Sequence, residues 1–373
     1  MINLEQAVGA VEHGLLKTKS SSAREMALEE RMAYHKVPGF SLAIIDQGAL
    51  AWAKGYGMLE AGGDKAVTPE TIFQAASISK PVSAMVALHL VEKGLLDLDS
   101  DVNEALRSWK VKENKYTQTH KVTLRGLLSH SAGLNVRGYL GYPAGVPLPS
   151  LQQILNGQPP ANSMKVRVVQ EPGTTFKYSG GGYVLLQQLI EDVTGESLAE
   201  LAQEFILDKL GMANSTFEYP LPQAYMPQAA AAHRKNGEPV PGKWHRYPEL
   251  APAGLWSTPS DLACLISEVY KSYHSGSNRV LSTEMTRQML TPQVGIGGLG
   301  FNIIQPQGRT IYGHPGWNEG FHSLMLGDLD SGQGLVWMSN GENGKVLGWE
   351  VMRGLAEIFD WLDLFTDKQT KNR

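Results

Sequence analysis

The segment Thr71-Ile-Phe-Gln-Ala-Ala-Ser-Ile-Ser-Lys-Pro-Val82 sets a serine three residues ahead of a lysine, at the mouth of a run that is almost entirely apolar. From Pro81 to Val91 only Ser83 and His89 are polar, so the run reads as a helix buried on nearly all sides. Pro81 has no N–H to lose and belongs in the first helical turn, which places Ser77 at or just before the helix N-terminus. A three-residue separation puts the Ser77 and Lys80 side chains on one face. A serine hydroxyl is a poor nucleophile until a neighbour takes its proton, and a desolvated lysine can fall far enough from its usual pKa of roughly 10.4 to do so. The plainer reading is that Ser77 or Ser79 caps the helix and Lys80 reaches solvent. The S-x-x-K pattern occurs nowhere else in the chain.

Around this helix the hydrophobic pattern changes period twice. Ser22 followed by Glu25 reads as a capping box, with Met26, Leu28 and Met32 carrying a helix up to Val37-Pro38-Gly39. Phe40 to Ile45, the turn Asp46-Gln47-Gly48, and Leu50 to Tyr56 read as a hairpin in which Trp52, Lys54 and Tyr56 alternate with small residues. From about residue 71 to 290 the pattern is helical, broken by proline-rich loops at 143–160 and 218–252, long enough to line a site. Strand-like runs return at Gly298–Ile304, Arg309–Gly313, Phe321–Leu326 and Gly334–Met338, with a turn at Asp328–Gly332. A final amphipathic helix follows, its apolar positions Leu347, Val351, Leu355, Ile358, Phe359 and Leu362 fitting a 3.6-residue period before a polar tail from Thr366. Strands at both ends thus enclose a helical middle. The expected organisation is an α/β sheet domain from residues 1–70 and 295–373, a mainly helical domain over 71–294, and a cleft between them.

Composition narrows the partners. The 373 residues include 42% hydrophobic residues, enough for a large core, and 33 basic against 37 acidic residues with no basic cluster, so a nucleic-acid phosphate track has little support. Cys264 is the single cysteine, which excludes intramolecular disulfides and C-x-x-C metal sites. The N-terminus lacks a basic region followed by an apolar stretch, and no run of about 18 apolar residues occurs, so the expected location is cytoplasmic, with no membrane partner.

Two further segments bear on Ser77. Glu171-Pro-Gly-Thr-Thr-Phe-Lys-Tyr-Ser-Gly-Gly-Gly-Tyr183 precedes an apolar helix ending at Gly195, and Ile311-Tyr-Gly-His-Pro-Gly-Trp317 lies on a predicted strand. Together Ser77-x-x-Lys80, Tyr178-Ser179-Gly180 and His314-Pro315-Gly316 resemble the three motifs of the penicillin-recognising, β-lactamase-like serine hydrolases, in the order and rough spacing of the class C branch. That branch also includes D-alanyl-D-alanine carboxypeptidases, D-aminopeptidases and β-lactamase-like (family-eight) carboxylesterases. The resemblance extends through Leu124-Arg-Gly-Leu-Leu-Ser-His-Ser-Ala-Gly-Leu134 and Leu255-Trp-Ser-Thr-Pro-Ser-Asp-Leu262, covering roughly residues 25 to 362.

The resemblance implies an α/β (α+β) fold of β-lactamase/transpeptidase type: an antiparallel sheet flanked by N- and C-terminal helices, with a large, mainly helical inserted domain. It implies that Ser77 attacks the substrate carbonyl, that Lys80 helps remove its proton, and that Tyr178, as phenolate or as hydrogen-bonding phenol, acts as base and then acid. The backbone N–H groups of Ser77 and Trp317 would form the oxyanion hole, with Ser179, His314 and Gly316 lining the substrate site. Along a strand, N–H groups alternate sides, so positions 315 and 317 point the same way and Pro315 has no N–H to offer. His130 reads as structural rather than catalytic. No metal or cofactor is implied.

Two departures bear on the substrate. Many relatives carry asparagine where this chain has Gly180, and Lys-Thr-Gly where it has His314-Pro315-Gly316, and histidine is largely neutral near pH 7. This favours a hydrolase of small esters acting through an acyl-enzyme. The alternatives are a D-amino-acid amidase or peptidase, a D-Ala-D-Ala carboxypeptidase or a β-lactamase on the same machinery, with an amine able to replace water as acceptor. From another class comes a β-lactam-binding or scaffold module with little turnover. An α/β-hydrolase esterase is disfavoured because the chain contains no G-x-S-x-G pattern.

Overall fold

The structure, a computed structural model, describes residues 1–15, 26–361 and 364. Its frame is a six-stranded antiparallel sheet built from both ends of the chain. β1 (Gly39–Asp46) and β2 (Ala49–Gly57) form the expected hairpin, β3 (Phe73–Gln74) and β4 (Trp256–Ser257) pair separately, and β5 (Asn302–Ile304), β6 (Ile311–Asn318), β7 (Phe321–Asp328) and β8 (Gly334–Ser339) complete the sheet in the order β2-β1-β8-β7-β6-β5. Strand periodicity sorts the side chains to two faces. Leu42, Ile44, Leu335 and Trp337 pack with α1 (Leu4–His13), α2 (Leu28–His35) and the C-terminal helix Gly344–Leu355. Ala43, Ile45, Val336 and Met338 pack on the other side, in the larger core that holds α3 (Ser79–Glu92) and the helices Gly180–Thr194 and Pro259–Tyr273. This is the expected mixed architecture, with terminal helices on one face and the helical middle on the other.

Several elements depart from expectation. α1 was not foreseen, although Asn3 caps it by accepting from the Gln6 N–H and Ala7 and Val11 bury one face. α2 starts at Leu28, and the expected capping pair Ser22 and Glu25 lies outside the described residues. The strand expected from Gly298 begins only at Asn302, because Gly300 takes a left-handed φ of 102° and turns the chain against α3. β6 runs on through Pro315 to Asn318, which a free edge permits. The last helix stops at Leu355; Phe359 is buried beyond it, while Leu362 and the tail from 366 lie outside the described residues.

Twelve of the 14 residues of α3 are buried, including Ser79, Lys80 and Ser83. Each large apolar side chain there contributes about 1.5–3 kcal/mol by leaving water, so the helix is a rigid post. The two loops read from the sequence as structureless contain short helices, Leu151–Asn156 behind a Ser150–Gln153 capping box and Leu250–Ala253, whose carbonyls turn toward α3.

Candidate active site

Ser77 occupies the 3₁₀ turn Ala76–Ile78 that leads into α3, and it is partly exposed between two buried neighbours. Ala76 holds a left-handed φ of 53°, a conformation costing on the order of 1–3 kcal/mol for a residue with a side chain. The surroundings enforce it. Ser79 Oγ donates to the Ala76 carbonyl at 2.6 Å and accepts from the Leu255 N–H at 2.9 Å, while the Ala75 N–H donates to the Leu255 carbonyl at 2.8 Å. The Ile78 and Ser79 N–H groups turn back to the Ala75 and Ala76 carbonyls, whereas the Ser77 N–H meets no acceptor among the described residues.

Two side chains converge on Ser77 Oγ. Lys80 Nζ donates to it at 2.8 Å and to the Pro252 carbonyl at 2.9 Å, and the Tyr178 hydroxyl donates to it at 3.0 Å. Lys80 is only 1% exposed and has no carboxylate beside it among the described residues; desolvation pushes its pKa down to about 7. The aromatic rings of Tyr178 and Tyr183 lie 5.0 and 5.6 Å from Nζ, so their π faces add negative potential beyond the Pro252 carbonyl. Burial pushes the Tyr178 phenol up from its usual value, against smaller opposing effects of the Ser77 hydrogen bond and Arg137. Of the two forms the resemblance allows, burial therefore favours the phenol over the phenolate.

Tyr178 is held by its neighbours. Ser179 caps the helix Gly180–Thr194 through the Gly182 N–H, donates to the Asn135 carbonyl at 2.6 Å, and gives its own N–H to His130 Nδ1 at 3.2 Å. Ser179 is thus buried under the site rather than on its surface. His130, itself at a left-handed φ of 58°, packs its ring 4.3 Å from that of Tyr178, consistent with a supporting role. Its accepting Nδ1 assigns the proton to Nε2, and burial with the nearby Lys80 holds it neutral.

His314 differs from the expectation of a residue presented to substrate. It is 1% exposed, its Nδ1 lies 2.6 Å from the Pro315 carbonyl, and its ring centroid is 5.9 Å from that of Tyr178. Its Nε2 is buried without a hydrogen-bond partner. Burial and then Lys80 push its pKa down to about 3, so the third motif offers no cation.

β6 brings the last group. In an antiparallel pair, hydrogen-bonded and non-hydrogen-bonded positions alternate. Pro315 faces Leu324 and cannot donate, so this pair is non-hydrogen-bonded, and Trp317 facing His322, two residues on, is of the same kind. The Trp317 N–H therefore points away from β7, toward the edge that β5 leaves uncovered beyond Gly313. Gly316 makes the approach possible: a Cβ there would collide with Ser323 Oγ and the Ala75 carbonyl. The Trp317 indole is at the surface, 44% exposed, and donates to Glu342 at 2.8 Å.

Sequence reasoning missed the Pro252 carbonyl, which carries no side-chain signal, and Asn318. The Asn318 amide donates to Gln74 Oε1 at 2.8 Å and the Ala253 carbonyl at 3.1 Å, tying the end of β6 to the Ser77 segment and to the loop that holds Lys80. Cys264 is half-buried with its thiol pushed up by burial, so it has no nucleophile's environment. Among the described residues no cluster of His, Cys, Asp or Glu is arranged to hold a metal, and no helix is long and apolar enough to cross a membrane.

Residues 25–350 match the Beta-lactamase family. The chain is 25% identical over 92% of its length to the unguisins hydrolase of Aspergillus violaceofuscus, of which it spans 67%. It is 27% identical over 83% of its length to a putative D-alanyl-D-alanine carboxypeptidase of Escherichia coli O157:H7, of which it spans 80%. Other curated relatives are longer, and the chain spans 41% and 64% of two of them. Among solved structures, the octameric penicillin-binding protein homologue from Pyrococcus abyssi superposes with a TM-score of 0.71 at 26% identity, covering 89% of this chain and 77% of the other.

Proposed function

The chain belongs to the β-lactamase family of serine hydrolases, and from that premise we propose that it hydrolyses small esters through an acyl-enzyme on Ser77. The carrying observation is the sharing of Ser77 Oγ between a buried lysine and a half-buried tyrosine, at 2.8 and 3.0 Å. Neutral Lys80, one N–H spent on the Pro252 carbonyl, turns its lone pair to the Ser77 hydroxyl and takes its proton as Oγ bonds to the substrate carbonyl carbon. The N–H groups of Ser77 and Trp317 receive the oxyanion. On collapse the bond to the leaving atom breaks, that atom takes the Tyr178 proton, and the Lys80 ammonium gives its extra proton to the resulting phenolate. Water then adds to the acyl carbon, its proton passing to the same pair, and Ser77 leaves with its hydrogen restored.

The ester preference is supported by neutral, buried His314 at the position where lysine would meet a carboxylate. Hydrolysis of D-amino-acid amides or peptides is the second reading, favoured by the likeness to a putative D-alanyl-D-alanine carboxypeptidase. Intact-mass measurement after exposure to short esters, D-peptides and penicillins tests both. The expected result is a single acyl adduct, mapped to Ser77 and absent in Ser77→Ala, with turnover reduced at least about 10³-fold in that variant. An adduct on Ser79 or Cys264, or near-normal turnover in the variant, would end the assignment.

A further inference from the structure

We infer that Arg137 is a specificity-determining residue that binds a carboxylate on the leaving group of the substrate, supplying from the 135–139 segment the cation that the third motif lacks. The inference rests on the Ser77–Lys80–Tyr178 reading above and names the substrate class for it: an ester or amide whose leaving hydroxy or amino compound bears a free carboxylate.

Three observations carry it. The Arg137 guanidinium lies 5.7 Å from the centroid of the Tyr178 ring, and Arg137 is exposed and forms no ion pair among the described residues. A free guanidinium beside the reacting serine's own partner has its fork of donors open to an anion. Second, its position is built. The Arg137 carbonyl accepts the Gly180 N–H at 3.0 Å and the Val136 carbonyl accepts the Gly181 N–H at 2.9 Å, with Val136 held at a left-handed φ of 61°. These bonds dock the segment on the start of the helix that presents Tyr178. Third, one departure from the family pattern, Gly180, lies against the segment that carries Arg137. A Cβ at residue 180 would stand 3.1 Å from the Arg137 carbonyl and 3.2 Å from Tyr139 Cε2, so the missing asparagine is what lets the arginine's segment close over the helix. Tyr178 is the group placed to protonate the leaving atom, and a cation over its ring flanks the leaving-group side.

The test uses two thioesters with one acyl group, N-acetyl-D-alanyl, and two leaving thiols, mercaptoacetate and its carboxamide. We expect the wild-type kcat/KM to favour the mercaptoacetate ester by roughly tenfold, the scale of one partly solvated charge-assisted contact. Arg137→Ala should abolish that preference, mainly through the KM of the mercaptoacetate thioester; Arg137→Lys should restore part of it, and 0.5 M salt should weaken it in the wild type. A wild-type ratio near one, or a ratio unchanged in Arg137→Ala, overturns the assignment. Hydrolysis of the neutral thioester that persists in Ser77→Ala instead overturns the underlying reading of Ser77, so the two failures are told apart.

Discussion

Lys80 Nζ and Ser77 Oγ stand 2.8 Å apart across one helical turn, with the lysine 1% exposed and the serine partly open to solvent. Burying the amine while leaving the hydroxyl accessible moves the lysine pKa down to about 7, where it can accept a proton at neutral pH. The sign is fixed by the role. As the proposed base, Lys80 works when neutral, so kcat/KM should fall as pH drops below about 7, approaching tenfold per unit, and be flat above it until another group titrates. A profile from pH 5 to 9 on a neutral ester checks this, alongside Lys80→Arg, which keeps the charge at all pH values and should be inactive. An acid limb lying below pH 5 would remove Lys80 from the role of base.

Tyr178→Phe keeps the ring that packs on His130 and deletes only the hydroxyl 3.0 Å from Ser77 Oγ. Turnover should fall by roughly 10² to 10⁴, the range for general acid–base groups, with a smaller change in KM. Because burial favours the phenol, the role proposed for it is proton donation to the leaving atom. The defect should therefore shrink for esters whose leaving alcohol is acidic, such as a nitrophenol. An equal defect on acidic and ordinary leaving groups would argue against that role.

His314 provides a check that is independent of activity. With its pKa pushed down to about 3 by burial and Lys80, its imidazole should stay neutral throughout pH 5 to 9. In a spectrum of protein labelled with ¹⁵N-histidine, the resonances lost in His314→Gln should show no titration across that range. A midpoint above pH 5 at His314 would mean that water reaches the ring, and a charge-bearing third motif would return to consideration.

What the sequence made legible follows from what is local. The Ser77–Lys80 pairing depends only on helical spacing and the apolar run behind it, and the hairpin of β1 and β2 on alternation and one turn. Tyr178, His314 and Trp317 were found through motif resemblance, because nothing within their own segments connects them to Ser77. Their environments were not legible. His314 is buried by strands and helices distant in sequence, the Pro252 carbonyl belongs to a loop that reads as irregular, and Arg137 owes its place to left-handed turns at His130 and Val136, residues without the glycine or asparagine that usually announces one. α1 was the avoidable miss, since Asn3 and the spacing of Ala7 and Val11 already carry a helix signal.

Gly180 joins stability to specificity in a single residue. It opens the helix behind Tyr178-Ser179, and its N–H holds the Arg137 carbonyl at 3.0 Å. Gly180→Asn brings in the side chain expected from the family pattern, but its Cβ must fit 3.1 Å from that carbonyl and 3.2 Å from the Tyr139 ring, both closer than ordinary contact. Both neighbours are packed, so the segment must give way, at about 1–3 kcal/mol for overpacking. We expect a lower urea midpoint with an unchanged m-value. Gly180→Ala adds the same Cβ without the amide and should show most of the same loss. Because the displaced segment carries Arg137, both variants should also lose selectivity between the mercaptoacetate thioester and its carboxamide while retaining Ser77 acylation by a neutral ester. If both variants proved as stable as the wild type, the close approach would not be what glycine provides at this position, and the spatial coupling between residue 180 and Arg137 would have to be abandoned.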